Sequence, residues 1–239
     1  MEASEHRIEV GRVIGEAFET YRGYAAVLLG GAVILIGIAA VINAILATTG
    51  SLALVLVGAV IGLVAGFLYT GYVVKLVQDV RDGTLDNTMS ELFSAAWPYI
   101  GTLILNGILA GIAITIGFIL IIVPGLILLT IWAVIAPAIV VEDKGVLDAF
   151  GRSRELVRGN GWPVFGAIVL AFLIVFAVGL VAGLIGSSIS DTGRVALQAV
   201  ANVITAPVAA LVSSILFFDL GGGSGPSAPA AAESPAPGA

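Results

Sequence analysis

The sequence predicts an all-α integral membrane protein: a six-transmembrane-helix bundle built as three helical hairpins, each preceded by an amphipathic interfacial helix. Three observations predict it. Of the 239 residues, 59% are hydrophobic and 11% charged, and the mean hydropathy is +1.12. A soluble domain carries roughly a quarter of its residues as Asp, Glu, Lys or Arg, and a fold of this size cannot hide so much apolar surface from water. Next, the chain holds six apolar runs, most of the length a helix needs to cross about 30 Å of hydrocarbon at roughly 1.5 Å per residue. Last, the segments between the runs alternate between short and long, and the long ones carry apolar residues at helical spacing.

Residues 1–23 form a polar N-terminal segment holding Glu2, Glu5, Glu9, Glu16 and Glu19. It lacks the central apolar stretch of a secretory signal, so the first span is expected to stay in the mature protein. Val10, Val13, Ile14, Ala17, Phe18 and Tyr21 share one helical face there. The transmembrane domain covers residues 24–218. Its first run, Tyr24 to Ala47, stops at Thr48-Thr49-Gly50-Ser51. The second, Leu52 to Val77, gives way to Gln78, Asp79, Arg81 and Asp82, and Lys75 near its end can snorkel to the interface. Met89, Leu92, Phe93, Ala96 and Trp97 make a second amphipathic face before the third run, Ile100 to Val123.

Pro124-Gly125 is a turn-forming pair and separates the third run from the fourth, Leu126 to Val141. The fourth is short, at 16 residues, and holds Pro137, which removes one helix hydrogen bond. Val146, Leu147, Phe150 and Val157 form the third amphipathic face. The runs Trp162 to Ile185 and Val195 to Phe218 follow it. Ala17-Phe18, Leu92-Phe93 and Ala149-Phe150 then become equivalent positions of three units. Residues 219–239, rich in Gly, Ala, Pro and Ser, cannot build a core and read as a disordered tail.

Of the ten basic residues, Arg7, Arg12, Arg22, Lys75, Arg81, Lys144, Arg152, Arg154 and Arg158 fall on the side of the long segments, and Arg194 alone falls on the other. The positive-inside rule puts that side, with both termini, in the cytoplasm of a cell-membrane protein. A net charge of −6 and a pI near 4.6 argue against nucleic-acid binding. Membrane lipids are the expected partners.

No Asp, Glu, Lys, Arg or His lies deep inside a run. The strongest polar groups there are Asn43, Asn106, Gln198 and Asn202. Unpaired in hydrocarbon each would cost several kcal/mol, so interhelical hydrogen bonding is their expected role. Gly58, Gly62 and Gly66 stand four apart, as do Gly179 and Gly183 and also Gly107 and Gly111. Small residues at that spacing let helix backbones approach in lipid. Contacts within the monomer are expected, with a homo-oligomeric face as the other use.

Catalytic chemistry finds no footing. The sole histidine is His6, cysteine is absent, and the glycines of the tail follow no strand and lack a lysine. Glu142, Asp143 and Asp148 form one acidic group and Asp79, Asp82 and Asp86 another; both read as solvated loop acids. No cofactor or metal is expected.

The stretch from Pro124 to Gly161 resembles the membrane domain associated with glycerophosphodiester phosphodiesterases, and membrane proteins of unknown function related to it. The resemblance rests on Pro124-Gly125, Trp132, Pro137, Glu142, Gly145, Ala149, Arg152-Ser153, Leu156 and Gly159. It implies the six-span fold and a membrane address. It implies no enzyme, since catalysis in such phosphodiesterases belongs to a separate soluble barrel. It draws attention to the loop from Glu142 to Gly159, where Arg152, Arg154 and Arg158 are candidate contacts to lipid head groups. That helix is expected to lie flat on the membrane with Phe150 dipping inward.

The residues therefore favour a non-enzymatic multi-pass membrane protein that scaffolds or organises the membrane. The alternative is a small-molecule or lipid transporter or channel, whose signature would be a polar cavity lined by Asn43, Asn106, Gln198 and Asn202. A membrane enzyme acting on lipid head groups ranks third, having no residues to name.

Overall fold

The computed structural model describes residues 8–81, 84–186, 188 and 191–223, with residues 191 and 192 through their backbone alone. His6 and Arg7, Asp82, and the expected tail from residue 224 onward lie outside the described residues. Among the described residues the regular structure is helical and holds no strand. Six helices are long and apolar enough to cross a membrane: Ala25–Ala47, Leu52–Val80, Met89–Leu120, Ile122–Glu142, Gly161–Gly186 and Gly193–Asp219.

The amphipathic α1 (Val10–Gly23) buries Val13 and Ala17 and leaves Phe18 exposed at the edge of its apolar face. The first span comprises α2 (Ala25–Ala32) and α3 (Ile38–Ala47), joined by a π-helical turn at Val33–Gly37. It pairs with α4 (Leu52–Val80) across the short link at residues 48–51. Thr88 and Glu91 start α5 (Met89–Ala96) with a capping box, each satisfying a backbone N–H of the other. A 3₁₀ turn at Trp97–Tyr99 bends the chain into α6 (Ile100–Leu120). The fourth span is divided into α7 (Ile122–Ile131) and α8 (Ile135–Glu142). The amphipathic α9 (Val146–Val157) leads to the last hairpin, α10 (Gly161–Gly186) and α11 (Asp191–Asp219).

Each amphipathic helix packs on the last helix of another hairpin: α5 on α4, α9 on α8, and α1 on α11. The most heavily buried span is that of α11, which touches α1, α2, α4, α8 and α10.

Packing is uneven along the bundle. Near the amphipathic helices, Tyr69, Tyr72, Leu76, Leu211, Ile215 and Phe217 are 2% exposed or less. Tyr69 and Tyr72 donate to the carbonyls of Leu28 and Val27 at 3.0 and 2.8 Å and tie α4 to α2. Gly31 makes room for this, since a Cβ there would lie 2.7 Å from the Tyr72 ring. At the short-loop end Ile45, Leu52, Leu56, Val60, Ile185 and Val200 are exposed, and a cleft separates α3 from α11.

Two expectations are corrected. The third link does not turn at Pro124-Gly125: Ile121, in extended conformation (φ −160°, ψ 144°), makes the turn. Pro124 sits in the first turn of α7, where its missing N–H would have no intrahelical acceptor. Gly125 serves close approach instead, lying so near Gly117 that a Cβ on the latter would meet its Cα and N at 3.0 Å. Among the predicted packing glycines, Gly58 and Gly107 have close neighbours; Gly62, Gly66, Gly111, Gly179 and Gly183 have none within 4 Å of a built Cβ. Gly31, Gly117 and Gly125, outside the predicted set, also carry tight contacts.

Candidate functional site: a braced helix break and a polar cleft

The fourth span breaks at residues 132–134, where the backbone leaves the helical conformation (Trp132 φ −107°, Val134 φ −114°). In a continuous helix, the N–H of residue 137 would bond the carbonyl of Ala133, and proline has none to give. The break moves Pro137 into the first turn of α8, where an N–H is dispensable. The freed groups lie inside the bundle and need other partners. Ser153 donates to the Ile131 carbonyl at 2.9 Å and accepts from the Val134 N–H at 3.3 Å, while Ser213 donates to the Ala133 carbonyl at 2.7 Å.

This brace explains the spacing of the motif in α9. Gly145 is the N-cap, and Ala149, Ser153 and Leu156 form the buried face against the break. Gly159 has φ +89°, a conformation that favours glycine, and ends the helix. The Phe150 ring meets Trp132 of the fourth span at 4.8 Å, while Leu147 is 77% exposed. The face nearest the break had to be small, so the bulky residues sit at its margins.

At the same end the charges pair. Arg152 forks onto Glu142 with Nε to Oε2 at 2.7 Å and Nη2 to Oε1 at 2.9 Å, and reaches Glu155 at 3.2 Å. These carboxylates hold its guanidinium above the usual arginine range. Glu142 also accepts the N–H of Gly223 at 3.1 Å, which docks the chain just past α11. Arg12 binds Asp219 at 2.8 Å, and Arg81 lies over the Phe218 ring at 4.4 Å. Of the candidate head-group contacts, Arg152 is therefore engaged on protein carboxylates, whereas Arg154 and Arg158 remain exposed.

The short-loop end holds a different kind of site. Asn43, Arg194, Gln198 and Asn202 line one cleft of about 490 Å³ between α3, α10 and α11. Its walls are small: Ala40, Ala44 and Ala47 on one face of α3, Gly183 on α10 and Ala199 on α11. The first span packs on α11 mainly through α2 and the π-turn. The separation past the π-turn, together with the alanine face, leaves the space.

The expected interhelical bonds are corrected accordingly. Gln198 donates to Asn202 within α11 at 3.3 Å, and Asn43 rests against Gly58, where a Cβ would lie 2.8 Å from its Oδ1. Asn43 on α3 and the amides of Gln198 and Asn202 on α11 face one another across the cleft without a hydrogen bond between them. Only Asn106 bonds between helices, donating to the Val146 carbonyl at 2.8 Å. It lines a separate cavity of about 180 Å³ beside Trp132 and Phe67, and its Oδ1 is buried without a hydrogen bond from any described group.

The structure thus brings Asn43, Gln198 and Asn202 together and sets Asn106 apart. Sequence reasoning missed Arg194 and Ser213 as site residues. The spacing of Arg194, Gln198 and Asn202, each four residues apart on one helix face, was the available signal for the first. Nothing local marked Ser213, whose partner lies 80 residues away.

No curated protein and no solved structure matches the chain. A family model described as an uncharacterised protein family (UPF0259) matches residues 45–211. Nothing in these findings links the chain to glycerophosphodiester phosphodiesterases, so that resemblance gains no support. The matched region spans the break, its α9 brace and the α11 side of the cleft, and on this match the chain belongs to the uncharacterised protein family UPF0259.

Proposed function

We propose that this chain is a non-enzymatic, multi-pass protein of the cell membrane that binds an amphiphile or small polar molecule in the cleft at its short-loop end. One observation carries the reading: Asn43, Arg194, Gln198 and Asn202 converge on about 490 Å³ of space walled by alanines and glycine. Arg194, Gln198 and Asn202 are exposed to this space, and polar side chains among apolar membrane helices are costly unless they find partners. The volume lies within the roughly 300–1,000 Å³ typical of small-molecule sites. A scaffold needs only a filled bundle, so the cleft favours a binding or transport role over scaffolding. The tightly packed half beneath it makes the cleft one-sided in this conformation; movement across the membrane would require that half to open. The distribution of basic residues supports cytoplasmic termini, with the cleft facing the other side. Arg154 and Arg158 are suited to anionic head groups at the cytoplasmic surface.

The absence of cysteine makes a direct test simple. Single cysteines at Ala199 and at Ile38, an exposed apolar position, are treated with a membrane-impermeant maleimide in intact cells. Modification at residue 199 but not at residue 38 is expected. An unreactive residue 199 beside a reactive Thr49→Cys in the short link would refute a water-accessible cleft.

A further inference from the structure

We propose that the cleft takes an amphiphile bearing one anionic group, a phosphodiester or a carboxylate, with Arg194 as its counter-charge. This rests on the reading of the cleft as a binding site.

Arg194 stands apart from the other basic residues whose contacts are resolved. At the opposite end Arg12 has Asp219, Arg152 has Glu142, and Arg22, Lys75 and Arg81 lie over the rings of Phe18, Tyr99 and Phe218. Arg194 has no carboxylate partner among the described residues and lines the cleft instead. Its stem is placed by α10: a Cβ on Gly186 would come within 3.0 Å of its Cγ. Arg194 is exposed at the mouth of the cleft beside apolar helices, and its planar fork matches the two oxygens of a phosphodiester or carboxylate.

The rest of the cleft fits the same ligand. Gln198 and Asn202 continue the stripe inward from Arg194, and the single bond between them leaves the Asn202 Nδ2 and the Gln198 Oε1 open to ester or hydroxyl groups next to the anion. An acyl chain has an exit. Helices α3 and α10 flank the cleft without extensive packing between their described residues, and Ile38, Val41 and Ile45 on one and Phe172, Phe176 and Leu180 on the other are exposed apolar residues. The anion would sit at the mouth, the polar linker against the amides, and the tail in the bilayer between the two helices.

The test uses the full chain in mild detergent, titrated with phosphatidylglycerol, oleate, phosphatidylcholine and inorganic phosphate and read by native mass spectrometry. Phosphatidylglycerol and oleate should bind about tenfold or more tightly than phosphatidylcholine, the scale of one charge-assisted contact. Arg194→Gln should abolish that preference, Arg194→Lys should keep part of it, and Lys144→Gln, at the other end, should leave it unchanged. A preference that survives Arg194→Gln overturns the proposal. Inorganic phosphate binding as tightly as the lipid overturns the amphiphile in favour of a free anion. Ala199→Leu, which fills the cleft, separates the two levels. Equal binding of all lipids that falls in Ala199→Leu refutes the anionic preference and leaves the cleft standing; binding untouched by Ala199→Leu removes the cleft reading itself. Thermal unfolding of each variant in the same detergent verifies its fold, and Arg194→Lys keeps the test decisive should Arg194→Gln fail to fold.

Discussion

Ser153→Ala should be among the most damaging small substitutions in this protein. The Ser153 side chain is fully buried and holds both ends of the break in the fourth span, the Ile131 carbonyl at 2.9 Å and the Val134 N–H at 3.3 Å. Alanine fills nearly the same volume, so the loss is confined to the hydroxyl. Two backbone groups then lie buried without partners, at about 1–3 kcal/mol each. The expected destabilisation is about 2–6 kcal/mol, a large part of the roughly 5–15 kcal/mol that holds a typical domain. Reversible unfolding in mild detergent measures it, with the exposed Ser94→Ala as the comparison. Hydrogen exchange at the Val134 amide should accelerate in the same variant. A Ser153→Ala protein within about 0.5 kcal/mol of the Ser94→Ala protein, with unchanged exchange at Val134, would refute the brace.

Two further expectations follow from packing and charge. Gly117→Ala drives a Cβ against the backbone of Gly125 at 3.0 Å and should cost about 1–3 kcal/mol as the α6–α7 hairpin opens, whereas Gly62→Ala meets nothing and should be neutral or gain up to about 1 kcal/mol in helix propensity; the same unfolding assay ranks them, and equal losses would contradict the assignment of contacts. Burial first, and then the charge of Asp219, hold the Glu16 carboxyl above the usual glutamate range against the opposing pull of Arg12. A carboxyl raised in the folded state contributes stability below its unfolded pKa and loses it as pH rises through the folded value. Glu16→Gln should therefore melt higher than the parent protein at neutral pH, with the gap closing below about pH 4. A lower melting temperature at neutral pH would show that the Arg12–Glu16 ion pair outweighs burial.

The parts of the fold that were legible in the sequence are those with local causes. Hydropathy over about 20 residues marks a span whatever its neighbours are, and helical spacing of apolar residues marks the amphipathic segments. The fourth span was harder. Pro124-Gly125 has turn chemistry and Ile121 has none, yet the turn falls at Ile121 because Gly125 is needed where α7 meets Gly117 of α6. The glycine stripe of α4 misled for a related reason. Spacing four apart shows that a close contact is sterically open to a helix, and only the course of the other helices decides whether one is made.

An all-α membrane protein of three hairpins with amphipathic helices between them is legible in the order of residues, because bilayer thickness and helix geometry act on each segment alone. Which polar residues act together depends on how the bundle packs. Ser153 and Ser213 meet the break at residues 131–134 from two different helices, and Asn43 faces Arg194, Gln198 and Asn202 across the gap between α3 and α11. Such a gap depends on the angle between two helices far apart in the chain. No local pattern encodes that angle; it results from the packing of the whole bundle.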